Sequence, residues 1–191
     1  MADPSPAVAF GVPVRDVTIW HLVLPSPEDF RPRRSASPGL DFVRVREPNP
    51  ELNRFLYTAV GGAYFWVDRL PWDRAAWARR LAQPELETWL LTEHGVPAGY
   101  CELERLADGR IEIAIFGLLP WAVGRGWGAH LLTCAVERAW AMGTPAVYLN
   151  TCSLDHASAR GNYEARGFVV ERVETIAKAL PAASPGPWPG A

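Results

Sequence analysis

The sequence predicts a mixed α/β fold, and three observations carry that prediction. Between Thr88 and Pro120 three strand-like runs, TWLLTEH, VPAGYCELERL and RIEIAIFGLLP, are separated by turn signals at Gly95 and Asp108-Gly109, the pattern of an antiparallel meander. The stretch AVGRGWGAHLL then carries Gly124, Gly126 and Gly128 at alternate positions straight into a leucine-bearing helix. Behind that helix lies another strand-like run, AVYLNTC, and a strand, a helix and a strand joined by one crossover imply a parallel pair.

At 191 residues the chain has room for one domain with its own core and too little for two. Apolar residues make up 49% and charged residues 21%, the balance of a soluble globular fold. The formal net charge of −2, with no long run of lysine or arginine, leaves no electrostatic footprint for nucleic acid or an anionic membrane, so neither partner is expected. Prolines interrupt the opening MADPSPAVAFGVPVRD where a signal peptide needs an unbroken apolar stretch. The apolar run from Ile113 to Gly124 covers about 12 residues and contains Pro120, well short of a membrane span. Cys101, Cys134 and Cys152 are far apart and include no C-x-x-C pair, which argues against a disulfide scaffold and against a metal site. These features predict a cytoplasmic protein, monomeric or homodimeric.

Residues 1–37 alternate proline-rich pieces with one strand-like run, Val17 to Leu24, and read as an N-terminal extension with an added edge strand. The domain proper is expected over 38–178, beginning with a strand at Leu40 to Val45. Asn49-Pro50-Glu51 supplies an N-cap, an N1 proline and a first-turn acid for a helix over 50–60, which Gly61 stops. A second helix is expected over 72–82, before Pro84. The meander follows, and the helix behind the glycine turn runs to Met142, where Gly143 and Pro145 end it. Asp155 reads as the N-cap of a fourth helix ending at Gly167, and FVVERVETI as the last strand. Residues 179–191, rich in Pro, Gly and Ala, read as a disordered tail.

A glycine turn opening a helix leaves backbone N–H groups bare at the positive end of the helix dipole, which attracts a phosphate. Gly124-Arg125-Gly126-Trp127-Gly128-Ala129 satisfies the G-x-G-x-x-G/A dinucleotide fingerprint, so a nicotinamide oxidoreductase is one reading. Its context differs, because three antiparallel strands precede the turn and the following strand ends in Leu149-Asn150-Thr151-Cys152 rather than an acid that would hold a ribose.

Two segments read together point elsewhere. Val123-Gly124-Arg125-Gly126-Trp127-Gly128 followed by AHLL, and Ala159 with Tyr163 four residues on and Gly167-Phe168 after that, resemble the GCN5-related N-acetyltransferase (GNAT) superfamily. That family's pyrophosphate loop is Q/R-x-x-G-x-G/A, and the resemblance covers roughly residues 40–175. Val123 stands where the family has Gln or Arg, and His156 where an asparagine often opens the second motif. The resemblance implies a GNAT-like mixed sheet, antiparallel strands and then a parallel pair splayed around the cofactor, flanked by about four helices. It implies bound acetyl-CoA, with Gly117, Leu118 and Leu119 along the pantetheine and Val123, Gly124, Arg125, Gly126, Trp127, Gly128 and Ala129 around the pyrophosphate. Asn150, His156 and Ala159 complete the implied cofactor set.

Acyl transfer to an amine needs a base, because the amine is protonated at neutral pH. Glu112 is the only acid in IEIAIFGLLP, a strand in which burial raises a carboxylate's pKa, and EIAIF followed by the glycine loop resembles the catalytic strand of the family's histone-acetylating branch, whose base is the glutamate in that place. Glu102 and Glu104 share one face of the preceding strand and are rival bases. Tyr163 occupies the position the family uses as acid to the departing thiolate. Cys152 raises a ping-pong alternative, with His156 as its nearest basic residue in sequence.

The acceptor site is read from GGAYFWVDRLPWDRAAW, whose Tyr64, Phe65, Trp66, Trp72 and Trp77 suit a pocket for a hydrophobic or aromatic amine, with Asp68 and Asp73 as ammonium partners. Tyr64, Trp66 and Glu102 are the candidate substrate residues. The expected function is N-acetylation of a primary amine on a small molecule by direct attack. A protein or peptide acetyltransferase and a non-catalytic coenzyme A-binding module are the alternatives.

Overall fold

The computed structural model describes residues 13–186. Its strands are β1 (Val14–Leu24), β2 (Leu40–Val45), β3 (Leu86–Glu93), β4 (Val96–Arg105), β5 (Ile111–Leu118), β6 (Val147–Cys152) and β7 (Val169–Ala179). Its helices are α1 (Pro50–Gly61), α2 (Arg74–Leu81), α3 (Trp127–Ala141) and α4 (Ala159–Ala165). The strands form one sheet in the order β2-β3-β4-β5-β6-β1-β7, antiparallel throughout except for the parallel pair β5 and β6. Among the described residues there is thus no parallel mononucleotide unit of the kind a dinucleotide site needs.

Local chemistry accounts for the helix starts. Asn49 caps α1 by accepting from the Leu52 N–H at 2.8 Å, with Pro50 at N1, and Asp73 caps α2 by accepting from Ala76 at 2.7 Å. The helices lie on opposite faces of the sheet. Tyr100 of β4 packs with Leu56 and Val60 of α1, whereas its neighbour Cys101 packs with Leu131, Leu132 and Ala135 of α3, as strand alternation requires.

A register shift opens the sheet. Along the β4–β5 ladder Glu102 faces Ile115 and Leu103 faces Ile113, so Ala114 is an extra residue, a β-bulge. Before it Ile113 faces the α3 side, and after it Ile115 joins the α1 side. A bulge bends its strand. The parallel pairing of β5 with β6 stops at Glu112↔Tyr148, and beyond that point the two strands diverge.

The N-terminal segment is not an appendage. β1 lies inside the sheet, between β6 and β7, rather than at its edge, and Val17, Leu22 and Leu24 are buried there. β7 pairs with it along Val14–Val23 and β6 along Ile19–Leu24. From β1 the chain returns as a strap along α3: Arg33 N–H donates to Thr133 Oγ1 at 2.9 Å, Ser35 N–H to His130 Nδ1 at 3.2 Å, and Trp127 Nε1–H to Ser37 Oγ at 3.2 Å. Gly167 (φ +99°) packs so closely under this segment that a Cβ there would lie 2.1 Å from the Asp29 carbonyl oxygen.

The C-terminal region also differs from expectation over its described part. Leu180 is buried, with its N–H on the Pro13 carbonyl at 3.0 Å, and Gly186 N–H donates to the Gly62 carbonyl at 2.8 Å. Residues 180–186 thus fold back over the turn after α1, and residues 1–12 and 187–191 lie outside the described part of the chain.

Candidate active site

Where β5 and β6 part, a cleft of about 940 Å³ runs between the glycine turn, α4, and the segment joining α1 to α2. Its floor is Ile113 to Leu118, and Val123, Gly124, Gly126, Gly128 and Ala129 line one end. Gly124 and Gly126 have φ of +83° and +76°, left-handed values that a side chain would strain. Unlike α1 and α2, α3 has no side-chain cap, so among the described residues no capping side chain accepts from the N–H groups of its first turn. Gly117 is needed for a further reason: a Cβ there would lie 2.4 Å from Val60 Cγ1 of α1.

Of the residues expected at the cofactor, Gly117, Leu118, Asn150, His156 and Ala159 line the cleft together with the turn. Three side chains point elsewhere. Leu119 is buried in the α1 cluster and its N–H is held by the Ala98 carbonyl at 2.8 Å, so it offers no group to a pantetheine. The Arg125 guanidinium stacks on the rings of Trp121 and Trp127, at 5.2 and 4.9 Å from their centroids, and the Trp127 side chain is core. Only the backbone of these two residues belongs to the turn. Asp155 is not a helix cap: its carboxylate accepts from Thr151 Oγ1 at 2.6 Å and Cys152 N–H at 2.9 Å, which closes the turn after β6, and α4 begins later, behind Ser158.

The acids on β4 and β5 separate clearly. Glu102 is fully buried, accepting from Arg69 Nη1 at 2.8 Å and Asn53 Nδ2 at 3.0 Å, and it does not line the cleft. Glu104 is gripped by Arg80 at 2.6 Å, which holds its carboxyl below the usual range. Glu112 is different. It lies at the point where β5 and β6 separate, just outside the cleft lining, and accepts from Asn150 Nδ2 at 3.2 Å, a residue that does line the cleft. Burial, and then the charge of Glu104, push its pKa up, against Arg80, Asn150 and Arg110. Among the described carboxylates with displaced pKa values it is the only one raised.

Tyr163 lines the cleft with its ring edge-on to Phe116 and Phe168, and its hydroxyl makes no hydrogen bond with another described residue. Burial pushes its pKa well up, so it stays protonated. Cys152 also faces the cleft, but burial raises its thiol too, and His156 hydrogen-bonds Ser158 Oγ at 2.8 Å rather than the sulfur. No thiolate is prepared there.

At the other end Tyr57, Tyr64, Phe65 and Trp66 form an aromatic wall, with the His156 ring edge-on to Tyr64. Trp72 and Trp77 are not on it. They box the Arg69 guanidinium with Tyr57, which turns that arginine toward Glu102. Asp68 lines the cleft and pairs with Lys178 of β7 at 2.8 Å, whereas Asp73 is spent on its cap. Sequence reasoning missed the contribution of β1 and β7, whose Val17, Ile19, Ile176 and Lys178 line this end, and that of Arg33 and Arg166 near α3. No local signal marks these residues, because non-local strand pairing and the strap bring them in.

The family model described as the Acetyltransferase (GNAT) family matches residues 50–168. The chain belongs to the GNAT acetyltransferase family. Solved structures share its fold. A GCN5-related N-acetyltransferase from Kribbella flavida is 22% identical, with a TM-score of 0.62 over 90% of this chain and 61% of that one. One from Sphaerobacter thermophilus is 20% identical, with a TM-score of 0.64 over 91% of this chain and 56% of that one. The chain therefore spans about three fifths of the length of these two proteins. AAC(6')-Iy, solved with the bisubstrate analogue CoA-S-monomethyl-acetylneamine, is 18% identical, with a TM-score of 0.57 over 73% of this chain and 97% of that one. No functionally curated protein matches the sequence. Among the described residues no helix is long and apolar enough to cross a membrane, and no group of His, Cys, Asp and Glu is placed to hold a metal ion.

Proposed function

We propose that this GNAT domain transfers an acetyl group from acetyl-CoA to a primary amine on a small molecule. The observation that carries the reading is the uncapped α3 N-terminus behind Gly124 and Gly126, opening onto a cleft between strands that have stopped pairing. Free N–H groups at the end of a helix dipole fit a pyrophosphate, and the unpaired edge of β5 beyond Glu112 fits an amide-bearing arm such as pantetheine. Acetyl-CoA, when bound, supplies a thioester carbonyl as the acyl donor. The relatedness in fold to AAC(6')-Iy, which was solved with a coenzyme A conjugate, supports the same cofactor.

Glu112 takes the proton of the incoming ammonium group, its raised pKa bringing it closer to that task than any neighbouring carboxylate. Asn150 orients the Glu112 carboxylate from the cleft side, and water carries the proton between cleft and carboxylate. Tyr163, held protonated by its burial, presents its O–H to the departing sulfur. The aromatic wall at Tyr64 and Trp66 receives the acceptor, and an aromatic-lined cleft of about 940 Å³ favours a small molecule over a peptide.

Thermal unfolding with acetyl-CoA and, separately, with NADH tests the reading. At a hundredfold excess over its dissociation constant a ligand stabilises by about 2.7 kcal/mol, which is roughly 5–10 °C for a chain of this size. A shift with acetyl-CoA alone is expected, followed by thiol release when amines are supplied. A shift with no thiol release on any small amine or peptide would support a binding module instead.

A further inference from the structure

Two cations in the cleft have no anion. Arg33, on the strap, and Arg166, just past α4, both line it, and neither takes part in any ion pair among the described residues. By contrast Arg34, Arg69, Arg80 and Arg160 each meet a carboxylate. Arg166 is 8% exposed, and among the described residues its one side-chain hydrogen bond goes from Nε to the neighbouring Ala165 carbonyl at 3.1 Å. Burying a cation without a counter-charge is costly, and here burial and then the nearby charge of Arg33 lower the Arg166 pKa. An empty-handed guanidinium pair in a cleft marks a place built for an anion.

Its position is well determined. The strap fixes Arg33 at two points, its N–H donating to Thr133 Oγ1 at 2.9 Å and its carbonyl accepting from the same hydroxyl at 3.1 Å. Arg166 is tied to the strap through its carbonyl, which accepts from the Arg31 N–H at 3.1 Å. One turn back along α4, Asn162 reaches the Gly128 carbonyl at 3.4 Å, so this corner adjoins the first turn of α3. It is a neighbour of the glycine turn and distinct from it.

We propose that Arg33 and Arg166 form a second phosphate site, which takes the 3′-phosphate of coenzyme A. The inference rests on the coenzyme A reading and deepens it. Each phosphorus of a pyrophosphate diester carries about one negative charge, which backbone N–H groups and a helix dipole suit. A phosphate monoester approaches a dianion and calls for full positive charges, which two guanidinium forks supply with matching geometry. Arg33 lies outside the segment that the family model matches, so the N-terminal strap supplies half of this site.

Isothermal titration with coenzyme A and with 3′-dephospho-coenzyme A, on the intact chain and on Arg33→Gln and Arg166→Gln, reads this directly. The unaltered protein binds coenzyme A roughly ten- to a hundredfold more tightly than the dephospho form, the worth of one or two charge-assisted contacts. Arg33→Gln, an exposed position anchored by its backbone, loses most of that preference and keeps its affinity for the dephospho form. Arg166→Gln behaves likewise, and without ligand it melts no lower than the parent, since an unpaired buried charge has been removed. Equal affinity of the unaltered protein for the two ligands overturns the proposal, as does an Arg33→Gln variant that weakens both equally. Binding of neither ligand sinks the coenzyme A reading itself, a result distinct from either of these.

Discussion

Glutamine at Glu102 tests whether that residue is a structural counter-ion or a rival base. Its carboxylate is fully buried and accepts from Arg69 and from Asn53, which also bonds Thr88 Oγ1 at 3.0 Å. Glu102→Gln keeps the volume and one acceptor but removes the charge facing Arg69, whose side chain is 13% exposed. Removing one partner of a buried ion pair costs about 3–5 kcal/mol, because the other charge is left uncompensated. The three aromatic faces around the guanidinium are common to parent and variant and cancel from the difference, so the expected loss stays at about 3–5 kcal/mol. For a chain of this length the melting temperature should fall by roughly 6–20 °C. Adding Arg69→Met removes both charges and should restore most of the loss. In acetyl transfer the single variant should raise the acceptor KM, since Arg69 lines the cleft beside the aromatic wall proposed to receive the acceptor, and leave the pH profile of kcat unchanged in shape. A stability loss below about 1 kcal/mol, combined with a flattened pH profile, would refute this reasoning and restore Glu102 as the base.

Glu112→Gln should act in the opposite sense on stability. Because its folded pKa is raised, the stability linked to its proton is complete below the ordinary carboxylate value and is lost as pH rises through the raised one. The variant, which does not ionise, should therefore melt no lower than the parent at pH 8 and should lose the acidic limb of kcat/KM; a parent more stable at pH 8 contradicts the burial argument. Tyr163→Phe should lower kcat by about ten- to a thousandfold with coenzyme A affinity intact, and an effect below about twofold would mark Tyr163 as packing only. Gly167→Ala forces a methyl onto the Asp29 carbonyl at a positive φ, so urea unfolding should show a loss of about 2 kcal/mol or more. No change there would mean that the strap yields freely.

What could be read in advance was what depends on neighbours in sequence. The cap at Asn49, the glycine turn and the meander each declare themselves within a few residues, and they suffice for the mixed sheet and for the glycine-turn end of the cleft. Glu112 could be singled out from its apolar strand. The bulge at Ala114 could not, since nothing in IEIAIF distinguishes a flipped face from continuous alternation, yet it is what separates β5 from β6. Glu102 reads as a rival base and a candidate substrate residue until Arg69 arrives from a loop between two helices. Trp72 and Trp77 read as pocket aromatics for the same reason, and Leu119 as a pantetheine contact until its N–H is seen to be taken by Ala98. The placement of β1 depends on partners at the far end of the chain, beyond the reach of any local pattern.

That placement has a consequence for how the protein is made. β1 leaves the ribosome well before its partners β6 and β7, with Val14 finally pairing with Ala179. Contacts so distant in sequence close slowly, and until they do an apolar strand waits with both edges bare. The sheet therefore cannot be completed during synthesis of the family-matching segment alone, and a chain released before Val169 would leave β1 without its outer neighbour. Folding should show a late, slow phase that belongs to the meeting of β1 with β6 and β7, and this interval is when the protein is most exposed to aggregation.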